Sequence, residues 1–119
     1  MGKIIVVLED DEGIREVMHL ILSLEDYEIA SYESVKQFVN REGSPPDLYI
    51  LDVMLPDGNG IDVCRDLKSV NKNVPVLMMS ANVSRNEIEH ACLADSYLEK
   101  PFDINRLLDK VRSLVEMTN

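Results

Sequence analysis

The stretch YILDVMLPDGNG, Tyr49 to Gly60, decides the fold. An apolar run ends on one carboxylate, Asp52; a second short apolar run follows, then a sharp turn. Charged side chains are rarely buried unless something pairs with them. A carboxylate at the mouth of a core strand therefore needs partners from elsewhere in the chain. Just upstream, DLYILD (Asp47–Asp52) has the apolar content of a buried strand. Just downstream, Ile61, Cys64 and Leu67 recur at helical spacing, with Asn59 placed as an N-cap. The unit is strand, carboxylate, turn, helix.

The same alternation extends in both directions. KIIVVL (Lys3–Leu8) is a β-branched run of the kind buried on both faces of a sheet. Ile14, Val17, Met18 and Ile21 then repeat at helical spacing. YEIASY (Tyr27–Tyr32) alternates and reads as a strand near a sheet edge. Val35, Phe38 and Val39 mark a short helix with Ser34 and Gln37 as a capping box, and EGSPP (Glu42–Pro46) is a loop. VPVLMMS (Val74–Ser80) and SYLE (Ser96–Glu99) are the last two strands, with the Met78-Met79 pair read as core packing. Between them Ser84 and Glu87 form a capping box ahead of Ile88, Ala91 and Cys92. Ile104, Leu107, Leu108, Val111, Leu114 and Val115 make a final amphipathic helix capped by Asp103. Five strands alternating with five helices predict an α/β fold with a parallel sheet covered on both faces. In such sheets ligands bind beyond the carboxyl ends of the strands, where the winding reverses.

The residues at those ends are chemically coherent. The first strand is followed by Glu9, Asp10 and Asp11, the third ends in Asp52, the fourth ends in Ser80, and the fifth is followed by Lys100 and Pro101; the second ends in nothing comparable. Crowded carboxylates repel, and a hard cation such as Mg²⁺ relieves that repulsion with oxygen ligands. Asp52 would then be a nucleophile toward a phosphoryl group, with Lys100 and the metal neutralising its oxygens and Ser80 donating a hydrogen bond. Each residue has an ordinary alternative. Acids at a helix N-terminus stabilise it by roughly 0.3–1 kcal/mol each, so Glu9, Asp10 or Asp11 can be a cap alone. Asp52 can be a turn residue, and Ser80 and Lys100 taken singly are unremarkable. Those alternatives do not predict that all the groups fall at one rim.

VVLEDDEGIRE (Val6–Glu16), YILDVMLPDGNG, VPVLMMSA (Val74–Ala81) and SYLEKPF (Ser96–Phe102), in this order, resemble the receiver domain of two-component response regulators, over essentially the whole chain. The resemblance implies a flavodoxin-like five-stranded parallel sheet in the order 2-1-3-4-5. It implies Asp52 as phosphoacceptor, Asp10 as direct ligand of Mg²⁺ (or Mn²⁺), Glu9 acting through water and Met54 supplying its backbone carbonyl. Ser80 matches the switch hydroxyl, Lys100 the phosphate-contacting lysine, Pro101 a cis Lys-Pro bond that aims the lysine, and Tyr97 the switch aromatic. Met54 and Asn82 flank the phosphate and tune its hydrolysis; methionine cannot orient a water, which predicts slow autodephosphorylation. The resemblance further implies a sensor histidine kinase or histidine phosphotransfer protein as phosphoryl donor. The implied response is a changed face of fourth helix, fifth strand and fifth helix, read by a downstream protein or effector domain.

Some positions depart from the family pattern. Glu9 stands where aspartate is commoner and Ser80 where threonine is commoner. The span from Ser80 to Lys100 is about two residues short by the resemblance. Leu93-Ala94 replaces a small Gly-Ala pair, which predicts a short or displaced fourth helix, and Asp95-Ser96-Tyr97 replaces Asp-Asp-Tyr.

Composition bounds the rest. The chain has 119 residues, 45% hydrophobic and 29% charged, and reads as one globular domain over 1–119. A net charge of −10 suits neither direct nucleic-acid binding nor an anionic membrane surface. No apolar run is long enough to span a bilayer. Cys64 and Cys92, in helix-like segments, read as free core thiols, which together with the absence of a signal peptide predicts the cytoplasm. His19 and His90 fall away from the rim. Two other functions fit these residues less well. Hydrolases with an aspartyl nucleophile place a second acid two residues on, where this chain has Met54; a flavin-phosphate module would not carry the acidic EDDEG loop. The expected activity is that of a phosphoacceptor switch and not of a turnover enzyme.

Overall fold

A computed structural model of the chain describes residues 2–81 and 92–116. The element order is β1 (Ile4–Leu8), α1 (Glu12–Ser23), β2 (Glu28–Tyr32), α2 (Val35–Val39), β3 (Leu48–Asp52), β4 (Met54–Leu55), β5 (Gly58–Asn59), α3 (Gly60–Val70), β6 (Val76–Ser80), β7 (Ser96–Glu99) and a C-terminal helix (Ile104–Glu116). Five strands form one parallel sheet in the order β2-β1-β3-β6-β7. Counting only members of that sheet, this is 2-1-3-4-5, the order that the family resemblance implies. The small strands β4 and β5 are a separate antiparallel ladder that braces the turn after Asp52, which the sequence shows only as a turn.

The strand parity explains the near-continuous apolar runs. Ile5 and Val7, Leu48 and Ile50, Leu77 and Met79 pack on one face with α1 and the C-terminal helix. Val6 and Leu8, Tyr49 and Leu51, Val76 and Met78 pack on the other with α2 and α3. Both faces are covered, so the inner strands β1, β3 and β6 are apolar on both parities up to the polar ends of β3 and β6 at Asp52 and Ser80. β2 lies at the edge and is only half-buried.

Local expectations hold with three adjustments. Asn59 accepts from Ile61 N, and Asp103 Oδ1 accepts from Asn105 N, as capping residues do. Ser34 accepts from Gln37 N, but the Gln37 side chain accepts from Glu33 N, so the reciprocal half of that capping box is displaced by one residue. On α1 the buried residues are Met18 and Leu22, while Val17 faces solvent, because the helix meets the sheet along a face rotated toward Leu22. Cys92 is buried and free but non-helical, ahead of β7. Asp95 anchors the start of β6 and β7: its Oδ2 accepts from Val76 N at 2.8 Å and from Lys68 Nζ at 2.6 Å. The capping box at Ser84 and Glu87, the fourth helix, Asn82 and His90 lie outside the described residues.

Candidate functional site

The three acids after β1 divide their work. Asp11 is the N-cap of α1, its Oδ1 accepting from Ile14 N at 2.9 Å. Glu9 is fully buried; its N–H continues the ladder to Tyr32 O at 3.0 Å. Asp10 is exposed at the mouth. β3 lies between β1 and β6 and delivers Asp52, buried, to the same rim. Carboxylate oxygens of Glu9, Asp10 and Asp52 lie within 4.8 Å of one another. Lys100, directly after β7, reaches across: its Nζ donates to Glu9 Oε1 and, at 3.0 Å, to Asp52 Oδ2. The groups that the sequence places at separate strand ends thus converge.

Their electrostatics are those of a crowded anionic site. Burial pushes the Glu9 carboxyl above its usual range; the Lys100 ammonium opposes this and the Asp52 carboxylate reinforces it. Asp10 is raised by burial and then by Glu9 beside it. Burial alone would lower Lys100, but the Glu9 and Asp52 carboxylates outweigh it and hold the proton on. Three carboxylates meet one ammonium, so ionised charge is left uncompensated. The donors are all hard oxygens, a set that suits Mg²⁺ or Mn²⁺ and not a thiophilic metal. On the chemistry of its donors, the cluster fits such an ion.

The other residues singled out in the sequence take several places. Ser80 ends β6, buried, with its main-chain oxygen accepting from Lys100 N at 2.9 Å. By strand alternation Ser80 shares the parity of Val76 and Met78, which is the α3 side of the sheet, whereas Asp52 shares that of Leu48 and Ile50 on the α1 side. Tyr97 packs against the same α3-side cluster as Val76 and Met78 and lies diagonally from Ser80, since Met78 pairs with Tyr97 and Ser80 with Glu99. Its ring is half-buried and its hydroxyl donates to Ala94 O at 3.4 Å. Met54 opens β4 beside Asp52 and is 60% exposed. The Lys100–Pro101 peptide is cis. His19 lies away from the rim, its Nε2 bonded to Ser31 Oγ at 2.8 Å.

Three contributors escaped the sequence. Arg15 Nη1 donates to the carbonyl oxygens of both Glu9 and Asp10, at 2.9 Å each. Glu33, just past β2, faces Arg15 at 3.7 Å, so the second strand does deliver a charged residue to this end. Gly60 lies against the Asp52 main chain, where an added Cβ would meet Asp52 O at 1.9 Å. Arg15 had one sequence signal. A side chain on the first turn of a helix leans toward the N-terminus, and here the N-terminus is the acidic turn.

This fold and this rim define a receiver module, and comparison with known proteins agrees. The model of the response regulator receiver domain matches residues 5–112. The chain belongs to that family, the phosphoacceptor domains of two-component systems, which are signalling switches and not classical enzymes. It is 34% identical over 117 residues to response regulator MprA of Mycobacterium avium, covering 96% of this chain and 51% of that protein. The chain spans about half the length of the curated relatives it matches. Among solved structures, response regulator TrrA of Thermotoga maritima in complex with Mg(2+)-BeF aligns with TM-score 0.84 and 30% identity, covering 94% of this chain and 98% of that one. A CheY-like receiver domain protein of Methanospirillum hungatei aligns with TM-score 0.90 over 99% and 97% of the two chains; at 22% identity this speaks to fold alone.

Proposed function

We propose that residues 1–119 act as one receiver unit that takes a phosphoryl group onto Asp52 from a phosphohistidine of a sensor kinase or histidine phosphotransfer protein. The observation that carries this reading is the convergence of Glu9, Asp10 and Asp52 with Lys100 between two of them. A carboxylate oxygen of Asp52 attacks phosphorus; the bond from phosphorus to the donor imidazole nitrogen breaks, and its electron pair returns to the ring. Lys100 is already protonated beside Asp52 and offsets charge on the phosphoryl oxygens. Glu9, Asp10, Asp52 and the Met54 carbonyl would hold Mg²⁺ or Mn²⁺, which when bound supplies the remaining neutralisation. Met54 brings no group that orients a hydrolytic water, so the acyl phosphate is long-lived.

Ser80 and Tyr97 transmit the change. They share the α3-side face of the sheet on adjacent strands, which supports a coupled motion in which Ser80 donates to the phosphoryl group and Tyr97 moves into the space behind it. The surface of β7, the C-terminal helix and the segment between β6 and β7 then binds a downstream protein or effector domain. Among the described residues no helix is long and apolar enough to cross a membrane. The proposed setting is the cytoplasm, with neither membrane insertion nor direct nucleic-acid binding by this domain.

Intact mass after incubation with Mg²⁺ and a small acyl phosphate tests the reading. A gain of one phosphoryl group that Asp52→Ala and metal removal each abolish is expected. After donor removal, Met54→Asn should lose the group roughly tenfold faster than wild type. A folded wild type that gains no phosphoryl group would overturn the assignment.

A further inference from the structure

Arg15 contributes nothing to the phosphoacceptor set, yet its side chain is only 17% exposed and points back at the site. We propose that Arg15 is a positioning residue for the acidic pair: its guanidinium clamps the Glu9 and Asp10 peptide carbonyls and so aims both carboxylates for divalent-cation binding. The proposal rests on the phosphoacceptor reading above.

The turn from β1 to α1 leaves few ways to fix those carboxylates. The Glu9 N–H goes to Tyr32 O, the Asp11 N–H to Glu9 Oε2 at 3.2 Å, and the Asp11 carbonyl accepts from Arg15 N at 3.0 Å. The carbonyls of Glu9 and Asp10 both accept from Arg15 Nη1, at 2.9 Å. Lys100 steadies Glu9 and Asp52 through their carboxylates. Asp10 is exposed, and its carboxylate stands among like charges that push it outward. Its aim therefore depends on its own main chain, which Arg15 holds. The guanidinium suits the task because the two N–H bonds of Nη1 serve both carbonyls while Nη2, fixed in the same plane, faces the Glu33 carboxylate at 3.7 Å. A lysine ammonium in its place keeps donors for the carbonyls but lacks the second nitrogen that faces Glu33 and the rigid plane that fixes the donors' direction, and would hold the turn only partly.

Mn²⁺ titration of the unphosphorylated full chain, with free ion read by electron paramagnetic resonance, separates positioning from simple support of the fold. Arg15→Ala should weaken Mn²⁺ binding by about tenfold or more. Arg15→Lys should recover part of that loss, and Glu33→Gln should keep most of the affinity. Melting in chelator, run in parallel, reports the fold independently of the metal. Arg15→Ala that is folded and binds Mn²⁺ within about twofold of wild type overturns the positioning role alone. A wild type that does not bind Mn²⁺ overturns the phosphoacceptor reading with it. Should Arg15→Ala not fold, Arg15→Met, which keeps the apolar stem and loses every donor, decides: weakened Mn²⁺ affinity in a folded protein supports the clamp and wild-type affinity overturns it.

Discussion

At Gly60 a missing side chain matters as much as the carboxylate at Asp52. A Cβ there would lie 1.9 Å from Asp52 O and 2.8 Å from Asp52 C, both main-chain atoms that cannot swing aside. Gly60 N meanwhile donates to Val53 O at 2.8 Å, pinning the start of α3 against the end of β3. Gly60→Ala must either lift α3 or displace the Asp52 peptide, at an overpacking cost of about 1–3 kcal/mol. The expected outcome is a lower urea midpoint together with slower phosphoryl uptake, since Asp52 shifts relative to Lys100. Unchanged uptake in a destabilised variant would show that α3 yields and the site does not. Gly60 and Arg15 also mark what the sequence conceals. Glu9, Asp52 and Lys100 are legible because they are charged residues following apolar runs. Gly60 is one of several turn glycines, and its close approach is a property of three dimensions. The acceptors of Arg15 are peptide carbonyls, which every residue carries, so the partner leaves no trace in the sequence.

The elements follow from their own local chemistry, except where a neighbour supplies it. α2 has only the residues Val35–Val39, too few to be stable alone. Its Ser34 cap is visible in the sequence; the second support is not. Asp57, in the turn between β4 and β5, presents both carboxylate oxygens to the N–H groups of Val35 and Lys36, at 2.8 and 2.9 Å. The contact joins residues far apart in the chain, so no spacing rule reveals it. These backbone donors, Lys36 first, hold the Asp57 carboxyl below its ordinary value of 3.8. A depressed carboxyl stabilises the fold above its unfolded value and loses that contribution as pH falls through its folded value. Asp57→Ala should therefore lower the urea midpoint at neutral pH, and the gap to wild type should close below about pH 3.8 as the folded value is passed. A gap that persists at the acid end would mean that the loss comes from packing and not from the charged cap. The small ladder formed by β4 and β5 thereby gains a purpose: it places Asp57 at α2 and Met54 beside Asp52.

At the scale of the whole molecule, a sheet filled on both faces carries an unneutralised charge cluster at one end. Glu9 and Asp52 are buried with one ammonium between them, and Asp10 adds a third carboxylate. Sites that hold like charges together trade stability for function. Asp52→Asn keeps an oxygen to accept from Lys100 and removes one charge, so without metal it should be more stable than wild type by about 1 kcal/mol. Mg²⁺ reverses the comparison. A ligand that binds only the folded state stabilises it by about 2.7 kcal/mol at a hundred times its dissociation constant. Wild type should gain far more from Mg²⁺ than Asp52→Asn does. The variant matters because the chain carries a net charge of −10, and any divalent cation will screen that charge and raise the melting midpoint somewhat. Melting curves of both proteins, in chelator and in excess Mg²⁺, separate the two effects. Equal gains in wild type and Asp52→Asn would assign the stabilisation to diffuse screening. A selective gain in wild type, with the order reversed in chelator, would place the cation at the rim where β1 and β3 end.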